Sequence, residues 1–358
     1  MLENRPKQTF APLHVWKKVK SHPFFGVFLS LFVMIMIRLL GDVGMIPPSV
    51  VDVFAIMWIY IIIGLGFTLL LGYTGLASLG TAGLIGVGSY VVAYMLGTAG
   101  VSLFLAFILG IVIAIVLGTI VGFISLRIEG MYLAIITLGL SEILVEVFKF
   151  WTKVTKGLVG FQIERFPIFG TIVREEQVYY LLVIGLILTM FAVLNIINSP
   201  TGRAMLSIKN STSAAQAMGI SILKYRLLSF IVSTVLAVIG GMLYMTYTRS
   251  TIPNLWNIAL SLNILAAVVI GGAKSIWGVS LGTIFIFGLN QLVFARIPFF
   301  ATYGNTTLFI NGALIILVVM FYPGGIVRMF TDLSKLSKKW IQNIKTRIKE
   351  YRYGQDEQ

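Results

Sequence analysis

Long apolar runs separated by short polar segments are the feature that most constrains this chain. The hydrocarbon core of a bilayer is about 30 Å thick, and a helix needs roughly 20 apolar residues to cross it. The sequence contains ten runs of approximately this kind, so we predict an all-α polytopic membrane protein with about ten transmembrane helices. The runs cover residues 24–40, 50–71, 77–97, 102–125, 131–149, 178–197, 227–247, 258–272, 276–295 and 308–322.

The composition agrees with this fold class. The chain is 58% hydrophobic and 11% charged, whereas soluble domains hold about 45–50% apolar and roughly 25% charged residues. Too little polar surface remains for a soluble enzyme, a disordered scaffold or a nucleic-acid binder. The net charge of +14 does not indicate a nucleic-acid partner, because most Lys and Arg residues flank the apolar runs, as the positive-inside rule describes.

Cysteine is absent and histidine is rare, although both residue types often bind metals or take part in catalysis. The chain has no cysteine, and both histidines, His14 and His22, precede the first apolar run. Thiolate metal sites, Cys nucleophiles and membrane-embedded histidines are therefore excluded. We predict no catalytic residue and no metal-binding residue.

The charge distribution predicts the topology. A basic cytoplasmic arm, residues 1–23, precedes a transmembrane domain over 24–322, and a basic amphipathic tail follows at 323–358. The first apolar run lacks a cleavage site and is interpreted as an uncleaved helix. Ten crossings then leave both termini in the cytoplasm, with a long external loop at 150–177 and a cytoplasmic loop at 198–226. The tail is predicted to lie against anionic lipid or, alternatively, to bind a partner.

The spans suggest an inverted internal repeat. Spans two to five and seven to ten would run in opposite directions, and each block contains one glycine-punctuated stretch, Gly75–Gly88 and Gly271–Gly288. This arrangement is typical of inverted-repeat transporters. The alternative is that these glycines only allow close helix packing.

The loop between spans six and seven is unusually long and has the pattern of a short helix outside the bilayer. Pro200 and Gly202 end the sixth span, residues of N-capping type precede an alanine-rich run, and Gly219 offers a stop. Such a helix has little apolar surface of its own, so docking into a cytosolic partner would explain it. Its predicted partner-contacting residues are Ser211, Thr212, Ser213, Ala214, Ala215, Gln216 and Gly219.

Five segments, in order, resemble one family. The loop Ser199–Phe230 is similar to the coupling-helix region of the high-affinity branched-chain amino acid permease family of ABC importers, on the side of its M-type subunit. The stretches "GYTGLASLGTAGLIGVGSY" (Gly72–Tyr90), "RIEGMYLAIITLGLSEIL" (Arg127–Leu144), "VVIGGAKSIWGVSLGTIF" (Val268–Phe285) and "FYPGGIVRMF" (Phe321–Phe330) resemble further motifs of that family.

The resemblance implies a type II-like importer half without enzymatic activity or cofactor of its own. It would pair with a second homologous permease, two cytosolic ATP-binding subunits and an extracytoplasmic substrate-binding protein in a bacterial-type plasma membrane. The sequence has no GxxxxGK[ST] motif, since Ala273 interrupts "GGAKS" at Gly271–Ser275, so ATP would be hydrolysed in trans. A large charged residue in place of Ala215 is expected to block substrate-stimulated ATP hydrolysis.

The resemblance leaves the substrate open. Leu76 and Thr81 replace a Gln and a His that are common in the family. Branched-chain or related amino acids come first by resemblance, and urea or short amides, nucleosides and sugars are alternatives because related permeases carry them. A secondary transporter is a less favoured reading. A membrane-embedded enzyme is disfavoured further by the absence of intramembrane histidine.

Polar residues within the apolar runs are candidates for the substrate pathway. An ionised carboxylate at bilayer depth usually faces a cavity or a partner. Glu142 is therefore a pathway candidate or a structural hydrogen-bonding group, whereas Glu146 is predicted to pair with Lys149 three residues along the helix. Three of the remaining candidates lie near the inner end of the glycine-rich region, with the alternative that they satisfy freed backbone groups, and a fourth lies on the fifth span. They are Tyr73, Ser78, Thr81 and Thr137.

Overall fold

The computed structural model of the chain describes residues 25–125, 131–164, 167–168, 171–172 and 175–292, together with isolated positions between 312 and 325. Three predicted regions lie outside the described residues. These are the N-terminal arm, most of the tenth apolar run and the amphipathic tail.

Helices make up nearly all of the described part of the chain. The long helices are α1 (Phe25–Asp42), α2 (Pro48–Phe67), α3 (Thr81–Gly97), α4 (Leu103–Ser125), α5 (Met131–Phe150), α7 (Glu175–Asn198), α10 (Ile222–Thr248) and α11 (Ile258–Gly271). The short helices are α6 (Thr152–Thr155), α8 (Pro200–Asn210), α9 (Thr212–Ala217), α12 (Ile276–Thr283) and α13 (Leu289–Leu292). Two π-helical segments, Thr68–Thr74 and Ile284–Gly288, continue α2 and α12.

The few strands are two residues long and form two antiparallel pairs. The first pair joins β1 (Phe161–Gln162) to β4 (Ser250–Thr251), with Phe161 opposite Thr251. The second pair joins β2 (Pro167–Ile168) to β3 (Thr171–Ile172). Short 3-10 turns occupy Gly157–Val159 and Pro253–Trp256.

The predicted all-α polytopic membrane fold is confirmed. Each of the first nine apolar runs contains a long helix or, in the ninth, α12 with its π-helical continuation. Four helical segments of the described chain are long and apolar enough to cross a membrane: Pro48–Thr74, Leu103–Ile124, Glu176–Asn198 and Ile222–Thr248. Three apolar helical segments are shorter: Thr81–Gly97, Ile258–Gly271 and Ile276–Gly288.

Glycine explains why these three segments are short. Gly75 has a φ of +76°, which turns the chain at the end of α2, and α3 starts only at Thr81. Gly272 has a φ of +108° and ends α11. A turn of four residues then leads into α12, so α11 and α12 form a tightly packed helical hairpin. L-residues with side chains rarely adopt these positive φ values.

Helix α10 is the centre of the bundle and packs against α2, α3, α4 and α7. Its closest approach is to α3, where two backbones meet without intervening side chains. A Cβ atom built on Gly241 would collide with the Ile85 carbonyl, and one on Gly88 would collide with the Val238 carbonyl. Gly271, Gly278 and Gly282 play the same part between α11 and α12. Both glycine-punctuated stretches thus serve close packing, and the inverted repeat stays a prediction.

The loops gather at two opposite ends of the bundle. At one end β1 pairs with β4, Arg38 lies 3.6 Å from Glu176, and the Tyr247 hydroxyl donates to Asp52 at 2.6 Å. At the other end, the 272–275 turn packs on Gly72 at the end of α2. This alternation of loops between two ends is the pattern of a chain that crosses a membrane repeatedly.

The backbone contact between α3 and α10 predicts a stability effect. In Gly241→Ala the new methyl group has no room beside the Ile85 carbonyl, and we expect a loss of about 1–3 kcal/mol of unfolding free energy. The measurement is unfolding in mixed micelles with a rising fraction of SDS. Gly139→Ala is the matched control, because a Cβ atom there meets no atom within 4 Å. Equal stability of the two variants would contradict the packing role.

Candidate coupling site and polar residues of the bundle

The loop between α7 and α10 contains two consecutive helices. In α8, Pro200 occupies the first helical position, where its fixed φ is already helical, and the Ser199 hydroxyl accepts a hydrogen bond from the Gly202 N–H at 3.4 Å. Sequence reasoning placed a helix end at Pro200 and Gly202 but missed that the same residues begin a new helix. Pro next to a capping serine was the available signal.

Helix α9 has the start and stop expected from its sequence. The Ser211 hydroxyl caps it by accepting from the Ala214 N–H at 3.2 Å. Gly219 follows with a φ of +78°, and the Ile220 N–H closes the end by donating to the Ala215 carbonyl at 3.0 Å. The result is a short, capped helix between the long apolar helices α7 and α10.

One side of α9 is exposed and one is not. Ala215 is fully buried against this chain, so a charged residue there would test the attachment of α9 rather than a contact with a partner. Thr212 is half-buried. The exposed residues are Ser211, Ser213, Ala214, Gln216, Ala217, Met218 and Gly219. Met218, with 68% of its surface exposed, is the apolar residue of this face.

Lys209, near the end of α8, ties this loop to the end of α2. Its ammonium group donates to the Leu71 and Gly72 carbonyls, each at 2.9 Å. Burial lowers the pKa of Lys209, and the nearby Lys274 charge lowers it further. Sequence reasoning counted Lys209 only as a cytoplasmic charge. No local pattern signals a contact between residues more than 130 positions apart.

The irregular stretch 75–80 leaves the first N–H groups of α3 buried in the bundle, and neighbouring helices satisfy them. Ala82 N–H donates to the Ser261 hydroxyl of α11, and Gly83 N–H donates to the Ser141 hydroxyl of α5, both at 2.9 Å. Just before α3, Leu79 N–H donates to Thr137 Oγ1 at 2.9 Å. These side chains cap a helix that has no capping residue of its own.

The five predicted pathway residues lie in three places: at the start of α3, at the end of α2 and, for Glu142, on the outward face of α5. Ser78, Thr81 and Thr137 lie together, buried at the start of α3. Ser78 accepts from the Gly80 N–H at 3.3 Å, and Thr137 donates to the Leu133 carbonyl at 3.0 Å. Tyr73 lies at the end of α2, where its hydroxyl donates to the Lys274 carbonyl at 3.5 Å. All four therefore have structural hydrogen-bonding or packing roles in this chain.

Glu142 lies on the outward face of α5, away from this cluster. It is exposed, as are its neighbours Tyr132, Ile135 and Ile143. Glu146, one turn later, pairs with Lys149 at 2.7 Å, which confirms the predicted local ion pair. Glu142 is thus a carboxylate on a largely apolar surface that the described part of the chain leaves exposed.

The described part of the chain brings no three His, Asp or Glu side chains close enough together to hold a metal ion. The "GGAKS" sequence forms the turn between α11 and α12. Its glycines pack against other backbone, since a Cβ atom on Gly325 would lie 2.5 Å from the Gly272 nitrogen. The turn is therefore filled by protein rather than open to a phosphate.

Comparison with known proteins gives one consistent family. Residues 49–319 match the family described as the permease component of branched-chain amino acid transport systems. The chain is 27% identical over 317 residues to the high-affinity branched-chain amino acid transport system permease protein LivM of Escherichia coli K12, covering 82% of this chain and 73% of the relative. No solved structure matches.

Two archaeal relatives from Methanocaldococcus jannaschii show the same similarity. One is a probable branched-chain amino acid transport permease protein LivM, 24% identical over 252 residues, or 66% of this chain and 72% of the relative. The other is a probable permease protein LivH, 28% identical over 280 residues, or 73% and 84% of the two chains.

The capping of α3 from other helices predicts a stability effect of a single hydroxyl. In Ser141→Ala the buried Gly83 N–H loses its acceptor, which costs about 1–3 kcal/mol of unfolding free energy. Ser280→Ala is the matched control, since Ser280 is also buried but donates to the Ile276 carbonyl within its own helix. Unfolding in detergent–SDS mixtures measures both. A larger loss in the control would contradict the capping role.

Proposed function

The chain belongs to the family of permease components of branched-chain amino acid transport systems, and on this premise we propose that it forms half of the translocation pathway of an ATP-driven importer. It is a multi-pass membrane protein. The observation that supports the ATP-driven mechanism is the α8–α9 pair, two short helices between two long apolar helices, with one face of α9 exposed.

Two cytosolic ATP-binding subunits are the proposed partners of this projection. The full sequence has no phosphate-binding GxxxxGK[ST] motif, and the turn that most resembles one is packed with backbone. The exposed side of α9 consists of small residues, Gln216 and Met218, which suits insertion into a groove of a partner. Nucleotide-driven closure of the ATPases would then displace α9, and with it the spans on either side.

The proposed orientation places α8 and α9 in the cytoplasm. The end of the bundle that carries them also carries Arg203, Lys209, Lys224 and Lys274, and this orientation would put the basic arm and the basic tail on the same side, as the positive-inside rule requires. The opposite end, with the β1–β4 pair, would face an extracytoplasmic substrate-binding protein. Both termini would then be cytoplasmic, in a bacterial-type plasma membrane.

A second, homologous permease subunit is the proposed neighbour of the outward face of α5. The relatives include two permease types, LivM and LivH, from one organism. Because a carboxylate at bilayer depth is costly against lipid, Glu142 would face the pathway between the two permeases. There it could contact the ammonium group of an amino acid substrate.

The proposed substrates are branched-chain and related amino acids. A complex of this chain with its second permease, ATPases and binding protein, reconstituted in liposomes, is expected to accumulate labelled leucine only with ATP. Excess unlabelled isoleucine or valine should compete, whereas urea, nucleosides or sugars should not. Uptake driven by an ion gradient without ATP would support a secondary transporter instead.

The exposed face of α9 yields a specific prediction. In Ala217→Glu a charge replaces a small exposed residue of the docking face, and we expect the ATPase subunits to be lost on co-purification, with leucine uptake falling about tenfold or more, because a buried unpaired charge at an interface costs several kcal/mol.

The matched control is Ala99→Glu, the same change at an exposed alanine at the opposite end of the bundle. This variant should retain its ATPase subunits. Undiminished co-purification in Ala217→Glu would refute docking through α9.

A further inference from the structure

Lys209 is the point where the coupling loop, α8 and α9, meets the membrane-spanning bundle through a charged contact. The two carbonyls that it binds belong to the last turn of the π-helical continuation of α2. The last carbonyls of a helix lack intrahelical donors and carry the negative end of its dipole. An ammonium group at this position caps α2 from another segment of the chain.

The contact is enclosed by glycines. A Cβ atom on Gly75 would lie 3.3 Å from Lys209 Cγ, and one on Gly72 would collide with the Ala273 carbonyl. The lysine stem therefore lies over Gly75, while the 272–275 turn lies over Gly72. Three segments meet here: α8, the end of α2, and the turn of the α11–α12 hairpin.

A charged lysine is not the side chain of lowest free energy at position 209. Burial disfavours its charge, and Lys274 of the neighbouring turn adds repulsion, so the pKa of Lys209 is lowered. An apolar side chain would fill the same half-buried space without either cost. Unlike an apolar side chain, the ammonium group donates directional hydrogen bonds to the two backbone carbonyls.

The contact between Lys209 and the end of α2 lies on a short path of hydrogen bonds from α9 to α5. Lys209 is separated from the first residue of α9 by Asn210 and Ser211, and the Ser211 N–H donates to the Ser207 carbonyl at 3.0 Å, so α8 continues rigidly to the cap of α9. On the other side, α2 leads directly into the irregular stretch 75–80. That stretch is fastened through Leu79 to Thr137 of α5, the helix that carries Glu142.

We propose that Lys209 is a positioning residue for transport, which transmits the displacement of α9 to the end of α2 and, through the 75–80 stretch, to α5. The proposal rests on the proposed function, because it requires ATPases that move α9. The alternative is that Lys209 only stabilises the fold or the assembled complex.

The sequence allows a direct test, since the chain contains no cysteine. In Lys209→Cys, the reagent 2-aminoethyl methanethiosulfonate rebuilds a side chain of nearly lysine length with an ammonium group. Ethyl methanethiosulfonate adds the same two-carbon chain without the terminal ammonium group. Lys224→Cys, at an exposed lysine in the first turn of α10, is the matched control, and the parent complex treated with both reagents controls for cysteines of the partner subunits.

The measurement is the amount of leucine transported per ATP hydrolysed by the full complex in liposomes. The Lys209→Cys complex should retain its ATPase subunits but show a ratio lowered about fivefold or more, the lower end of ordinary coupling between sites. Aminoethylation should restore the ratio, and ethylation should not. The Lys224→Cys complex should keep the parent ratio throughout.

Four results would overturn the inference. They are a parental ratio in Lys209→Cys, equal restoration by both reagents, no restoration despite complete labelling by mass spectrometry, and loss of the ATPase subunits, which would assign Lys209 to assembly. Failure of the proposed function is distinguishable from all of these, because the parent complex itself would then show no ATP-dependent leucine uptake.

Discussion

Backbone hydrogen bonding inside hydrocarbon is the constraint on which this structure depends. No water is available in the bilayer core, so every N–H and C=O group there must find a partner within the protein. An unbroken helix satisfies this requirement alone. The chain departs from it between α2 and α3, where residues 75–80 are irregular, and the groups released by that break are bound by α5, α11 and Lys209. This connection between α2 and α3 therefore links α5, α11 and α8 to one another.

Glycine makes these contacts possible by letting backbones approach. Where α3 crosses α10, Gly88 and Gly241 each face a carbonyl of the other helix. Hydrophobic attraction between helices is weak in lipid, so such close packing and interhelical hydrogen bonds supply the association. Close backbone contacts at glycine also join α11 to α12, and the turn between these two helices packs against Gly72. Elements that must bind one another without apolar driving force are thus joined by their backbones.

The structural features that depend on local sequence pattern could be predicted from the sequence. Apolar runs located nine helices correctly, and Ser211 with Gly219 bounded α9, because caps and stops act within a few residues. It did not predict α8, since Pro200 is equally typical of a helix end and of a first turn. Nor could it assign the hydroxyls of Ser141 and Ser261 as caps of α3, because their partners lie 58 and 179 positions away. Ala215 shows the same limit, for only the packing reveals that it faces inward.

The distribution of polarity around α5 links this architecture to transport. Thr137 and Ser141 point into the bundle and bind the start of α3, whereas Glu142 lies on a side of α5 that is exposed in the described part of the chain. One face of the helix is therefore fixed to the 75–80 stretch, which Lys209 joins to α8, and the other is exposed in the described structure. Under the proposed function, a displacement of α9 by the ATPases would reach Glu142 through this path, because a packed helix moves as a unit. The proposed mechanism needs such a connection between the contact with the ATPases and the surface proposed to line the pathway.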